Sequence, residues 1–198
     1  NPPDKVIEAF AASYADAAPA VRRELVRAVS RLPLTKTSER LLIRARKDED
    51  NAIAEKASKG IVQDKLHRLE QLLKEKKYAQ VVQAFQEEIA EEDLDAWQDE
   101  SAYQAFYLRA QSRRRLDQPE AAIEDLQRAV SYWPARRAFR DMGTIYRDDL
   151  NAPDRALNAF KKALDSEVGF GGHVLYRSGL GAVALLRQKG SFEEALSV

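Results

Sequence analysis

The chain has 198 residues, is 44% hydrophobic and 32% charged, and balances 32 basic against 32 acidic side chains for a formal net charge of zero. It is too apolar for a disordered chain, and its charge balance argues against nonspecific attraction to nucleic acid or to an anionic membrane. The absence of cysteine excludes disulfides, thiolate nucleophiles and cysteine-metal sites. Eight glycines and seven prolines leave room for few or short loops. No apolar run approaches the roughly 18 residues that suggest a membrane span. The opening "NPPDKVIEAF" has neither an initiator Met nor a leader core, and reads as part of a longer protein.

Helical periodicity runs through the sequence, with no sustained alternation of a buried strand. "DKVIEAFAASYADA" puts Val6, Ile7, Phe10 and Tyr14 along one face. "APAVRRELVRAVSRLP" follows, with Pro19 in the first turn, Val21, Leu25, Val29 and Leu32 directed inward, and Pro33 as the stop. "TSERLLIRARKDED" and "NAIAEKASKGIV" give a third and a fourth helix, with Thr37 or Ser38 and Asn51 as N-cap candidates. Ala20, Leu25, Ala28 and Val29 recur 32 residues later as Ala52, Ala57, Gly60 and Ile61. A period near 30 with two helices per unit predicts stacked helical hairpins. The segment 4–62 resembles a HEAT-like repeat section, and a plain four-helix cluster is the alternative reading.

The remainder repeats more sharply. Ala122, Leu126 and Ala129 return as Ala156, Phe160 and Ala163, and more weakly as Val81, Phe85 and Glu88. Ala110, Gly143 and Leu69 precede them by 12 or 13 residues, and a fourth copy begins at Val183 with Ala195. The intervening turns read "EKKYAQ", "LDQPEA", "LNAPDRA" and "KGSFEEA". With "QPEAAIEDLQRAVSYWP" as its best copy, this part resembles the tetratricopeptide repeat family over about residues 62–198. The organisation expected is therefore 1–62, HEAT-like, and 63–198, about three and a half tetratricopeptide-like repeats with the last incomplete. The fold class expected is an all-α, right-handed solenoid of antiparallel helix pairs. The last copy stops so early that the natural protein is expected to continue past Val198, or a second copy to cover that end.

Small residues have a physical task in such a unit. Helices that cross closely need Ala or Gly at the crossing, so Ala110 and Gly143 are expected to face Ala122 and Ala156. Leu126 and Phe160 would fill the wider space one turn on, and Ala129 and Ala163 would admit the next repeat. Pro119 fits a first helical turn, where its missing N–H costs nothing. The long connections are assigned to "EEDLDAWQDES" and "VGFGGH", and Trp97 and Trp133 are read as packing residues.

No catalytic constellation is found. His67 and His173 are 106 residues apart without a matching nucleophile. There is no H-E-x-x-H and no Cys/His cluster for zinc. "GFGGH" lacks a Walker lysine, and the acidic stretch lacks the central glycine of a calcium loop. Neither catalysis nor a cofactor nor a metal is expected.

The informative pattern is arginine on the first helix of each repeat. The family resemblance implies that these helices line a concave peptide-binding groove. Carried over by register, the groove-facing positions are Gln104, Tyr107, Gln111, Arg114 and Arg115, then Arg137, Arg140, Thr144, Arg147 and Asp148. In the fourth repeat they are Arg177, Leu180, Ala184, Arg187 and Gln188. Seven arginines against one aspartate would make a local positive field, and guanidinium forks bind carboxylates bidentately. The expected role is an interaction scaffold whose groove takes an acidic peptide segment or the terminal carboxylate of a partner. The acidic stretch 87–100 could visit the groove as a weak internal competitor. The competing reading pairs these arginines with Glu124, Asp125, Asp141 and Asp149. Self-association through the open terminal repeat, and an appended helical domain of an enzyme or a nucleic-acid-binding protein, stay open as alternatives.

Overall fold

The computed structural model describes residues 2–32, 35–89, 94, 99–167, 172–191 and 195. Trp97, Pro33, most of the acidic stretch and most of "GFGGH" lie outside them. The described residues form ten α-helices and no strand. In sequence order they are α1 (Pro2–Ser13), α2 (Pro19–Val29), α3 (Lys36–Ala45), α4 (Asn51–Lys74) and α5 (Tyr78–Glu88). They continue with α6 (Asp99–Arg115), α7 (Pro119–Tyr132), α8 (Arg136–Asp148), α9 (Pro153–Asp165) and α10 (Gly172–Gln188). Two compact units result, 1–68 and 69–198.

Pro19, Pro119 and Pro153 each occupy a first helical turn, as their fixed φ favours. The cap of α3 is Thr35 rather than Thr37 or Ser38. Its hydroxyl accepts from the Ser38 N–H, and Ser38 accepts from the Thr35 N–H. Asp50 does this for α4 in place of Asn51, accepting from the Ala52 N–H at 2.9 Å. α4 is one helix where the sequence suggested two. No proline interrupts it, and Gly60 gives space at a crossing: a Cβ there would lie 2.6 Å from Ser30 Oγ.

The first unit buries Ile7, Tyr14, Leu25, Val26, Val29, Leu41, Leu42, Ala45, Ile53, Ala57 and Ile61 around one core. Val6, Phe10, Val21 and Leu32 are exposed, against the sequence reading. The buried stripe of α2 runs through Val26 because Arg22 turns inward, its Nη2 donating to Asp48 Oδ1 at 3.2 Å. Tyr14 donates to the other Asp48 oxygen at 2.6 Å.

In the second unit, α6 packs on α7 and α8 on α9, with α5 against α6, α7 against α8, and α10 against both α8 and α9. Ala110, Ala122, Leu126, Ala138 and Ile145 share a core. Full burial of a side chain such as Leu126 contributes about 1.5–3 kcal/mol. Gly143 also makes room for the bulky residue one turn on from Ala156: a Cβ on it would lie 2.6 Å from the Phe160 ring. One on Gly181 would lie 2.8 Å from the far edge of the same ring. Phe160, only 1% exposed, thus ties α8, α9 and α10 together. Trp133 is 39% exposed, not a core residue.

A recurring backbone device closes the turns. Lys76, Asp117, Asn151 and Gly190 adopt φ of 59°, 59°, 47° and 76° just after α4, α6, α8 and α10. The next N–H then reaches back to satisfy a last-turn carbonyl: Lys77 to Leu72, Gln118 to Arg113 and Ser191 to Leu186, each at 2.9 Å.

Candidate functional site

The candidate residues sit on α6, α8 and α10, the helices that begin the expected repeats. Three clefts run along this side of the second unit. One of about 560 Å³ is lined by Tyr107, Gln111, Arg114, Arg115, Arg137 and Arg140. A second of about 530 Å³ shares Arg114, Arg115 and Arg140 and adds Thr144, Arg147 and Arg177. A third of about 650 Å³ shares Tyr107, Gln111 and Arg137 and adds Tyr103, Gln104 and Trp133. Arg187 is exposed but lines none of the three.

Aspartates enter the same clefts. Asp117, Asp141 and Asp149 line the first, and Asp141 and Asp148 the second, so the excess of positive charge is smaller than the register suggested. Among the described residues, three of the seven candidate arginines pair with carboxylates. Arg114 Nε lies 2.7 Å from Asp149 Oδ2, and Arg147 Nε lies 2.6 Å from Asp148 Oδ1. Arg140 donates to Asp141, which also accepts from the Tyr107 hydroxyl. The Arg137 guanidinium lies 5.0 Å from the centroid of the Tyr107 ring, over a face whose quadrupole attracts cations. Thr144 returns its hydroxyl to the Arg140 carbonyl at 3.0 Å. Arg115, Arg177 and Arg187 have no carboxylate partner among the described residues.

Tyr103 and Tyr107 stack at 5.5 Å. Burial pushes the Tyr103 hydroxyl up to about 12. Burial, with the Asp141 charge added, pushes Tyr107 further up. Both stay protonated donors at neutral pH. Asp148 is held below the usual carboxylate range by its hydrogen bond from Arg147 and by that residue's charge.

A second arginine cluster was missed by the register argument. Arg109 donates through Nε and Nη2 to Asp125 at 2.6–3.0 Å, and Arg113 Nη1 lies 3.0 Å from the same carboxylate. The Arg109 guanidinium stacks 3.7 Å from the Phe85 centroid. Both Arg109 and Asp125 are buried, so Asp125 is not available to the cleft arginines. The signal was present: each charge stands at a core-spaced position, within "AFYLRA" and "AAIEDLQRA".

Among the described residues no group of three or more metal-ligating residues converges, and no helix is long and apolar enough to cross a membrane. His67 and His173 are both exposed. What this side offers is a long, open surface of oriented donors and aromatic faces.

No family model matches the sequence. No curated protein matches it either. The structure is similar to two crystal structures of MamA. The first is 20% identical, the match covering 89% of this protein and 87% of that one, with a TM-score of 0.54. The second is 17% identical, the match covering 81% and 82%, with a TM-score of 0.52. At such identity the likeness shows the fold, an all-α assembly of consecutive helix pairs resembling the tetratricopeptide solenoid of MamA.

Proposed function

We propose that the protein is a non-catalytic interaction module, with a HEAT-like section over 1–62 and tetratricopeptide-like repeats over 63–198. An acidic peptide or protein segment lies along the α6–α8–α10 side. Tyr107, Gln111, Arg114, Arg115, Arg137, Arg140, Thr144, Arg147 and Arg177 are its contact residues. One observation supports this most directly: Arg115 and Arg177, both without partners among the described residues, line a cleft with Arg114, Arg140 and Arg147. Arg187, outside the clefts, drops out of the contact set.

The test is titration of a labelled hexaglutamate peptide followed by fluorescence anisotropy. The Arg115→Glu/Arg177→Glu variant should lose binding while its helicity and melting stay close to wild type. Unchanged binding would end the basic-cleft reading. Self-association is favoured separately by Tyr176 and Leu180, 68% and 52% exposed on α10. Solution mass that rises with concentration, and falls back in a Tyr176→Ser/Leu180→Ser variant, would support it.

A further inference from the structure

Two of the three carboxylate-paired cleft arginines, Arg114 and Arg147, are held by acids adjacent in the sequence. Arg147 grips Asp148 with Nε and Nη2 at 2.6 and 3.0 Å. Arg114 grips Asp149 the same way at 2.7 and 3.3 Å. Asp148 is the last residue of α8 and Asp149 its C-cap. A helix C-terminus carries the negative end of the dipole, so carboxylates are disfavoured there. Two adjacent acids break that local rule together, which is the kind of conflict expected at functional positions.

Both pairs face solvent: the Arg147 and Asp148 side chains are 39% and 41% exposed, and those of Arg114 and Asp149 34% and 28%. Exposed pairs of this type are weak and exchangeable. Asp141 differs, being held by Tyr107 and Arg140 together.

We infer that Asp148 and Asp149 stand in for ligand carboxylates, so that the cleft selects a run of acidic residues over a single carboxylate such as the one that ends every polypeptide. The inference rests on the acidic-peptide reading above. A lone carboxylate gains little here. It either displaces an aspartate that binds equally well or settles on one unpaired arginine. A run of acids engages Arg115 and Arg177 while exchanging with Asp148 and Asp149, and its several contacts share one entropic cost.

The experiment compares three proteins: wild type, Asp148→Asn/Asp149→Asn, and Asp16→Asn/Glu24→Gln. The last removes the same charge from exposed positions of the first unit. Each is titrated at low ionic strength with labelled hexaglutamate and with a labelled neutral Gly-Ser hexamer ending in a free carboxylate. Melting is recorded alongside. Wild type should bind hexaglutamate and not the neutral hexamer. Asp148→Asn/Asp149→Asn should bind hexaglutamate about three- to tenfold tighter, and the control variant should shift it less than about twofold. If the double variant is less stable, Asp149→Asn alone repeats the test, since Asn is well accepted near a helix C-terminus.

A double variant no tighter than the control overturns the inference and leaves the cleft reading standing. So does equal binding of the neutral hexamer. Failure of all three proteins to bind hexaglutamate removes the cleft reading itself, and this inference with it.

Discussion

The same helices carry arginine on two sides, and the two sides behave as different materials. On the packed side Arg109 meets Asp125 beneath the Phe85 ring, with both side chains nearly dry. On the cleft side Arg114 meets Asp149 with comparable distances and with both side chains partly open to solvent. Identical chemistry therefore has opposite consequences. A dry pair cannot be exchanged, because removing one member strands a charge that water cannot reach. A wet pair contributes little and is free to trade partners. Surroundings, not bond length, separate a structural ion pair from a recognition element.

The contrast can be broken in order of size. Asp125→Ala should cost about 3–5 kcal/mol in urea unfolding, the penalty for leaving Arg109 buried and alone. A loss below about 1 kcal/mol would mean that water enters, and the contrast fails. Replacing Arg109 by Met together with Asp125 by Leu should recover most of that loss, since well-packed apolar replacements of buried pairs are often neutral. Gly143→Ala should cost about 1–3 kcal/mol in thermal melting, because the new methyl meets the Phe160 ring on the packed side of α8.

Asp117→Gly lies between the two sides, in the turn that joins α6 to α7. It should raise stability by up to about 1 kcal/mol by relieving a left-handed non-glycine residue. The smallest effect belongs to the cleft: Arg114→Gln should change stability by less than about 1 kcal/mol, a difference that salt erases. The Arg147–Asp148 pair has a matching pH signature. Because the folded carboxyl is depressed, its small contribution is complete above the ordinary carboxylate range and disappears as pH falls through the depressed value.

Alanine and glycine spacing made the helix pairs legible, since close crossings tolerate little else and the buried Ala122, Ala129, Ala156 and Ala163 keep that spacing. Prolines at 19 and 119 marked helix starts for an equally local reason. The charges were harder to read. Tyr107 reaches Asp141 across 34 residues and Arg114 reaches Asp149 across 35, distances that belong to neighbouring repeats rather than to one helix. The competing reading names Asp141 and Asp149 as partners of the groove arginines without saying which residue each takes, and applying the repeat period to charges as well as to small residues would have made that assignment. Val21 and Trp133 were misplaced because apolar character alone does not say which of two adjacent faces is covered. The inward turn of Arg22 decided the matter for α2.

Phe160 has a bearing on modularity. Helical hairpins in such arrays invite treatment as interchangeable parts, to be deleted, duplicated or grafted. Here the ring rooted in α9 is seated between Gly143 of its own hairpin and Gly181 of the following helix. Cutting between α9 and α10 would therefore split a joint rather than separate two bricks. A transplanted α8–α9 hairpin needs a glycine-bearing successor, and an ordinary alanine at the position of Gly181 would leave the graft propped open on an aromatic wedge.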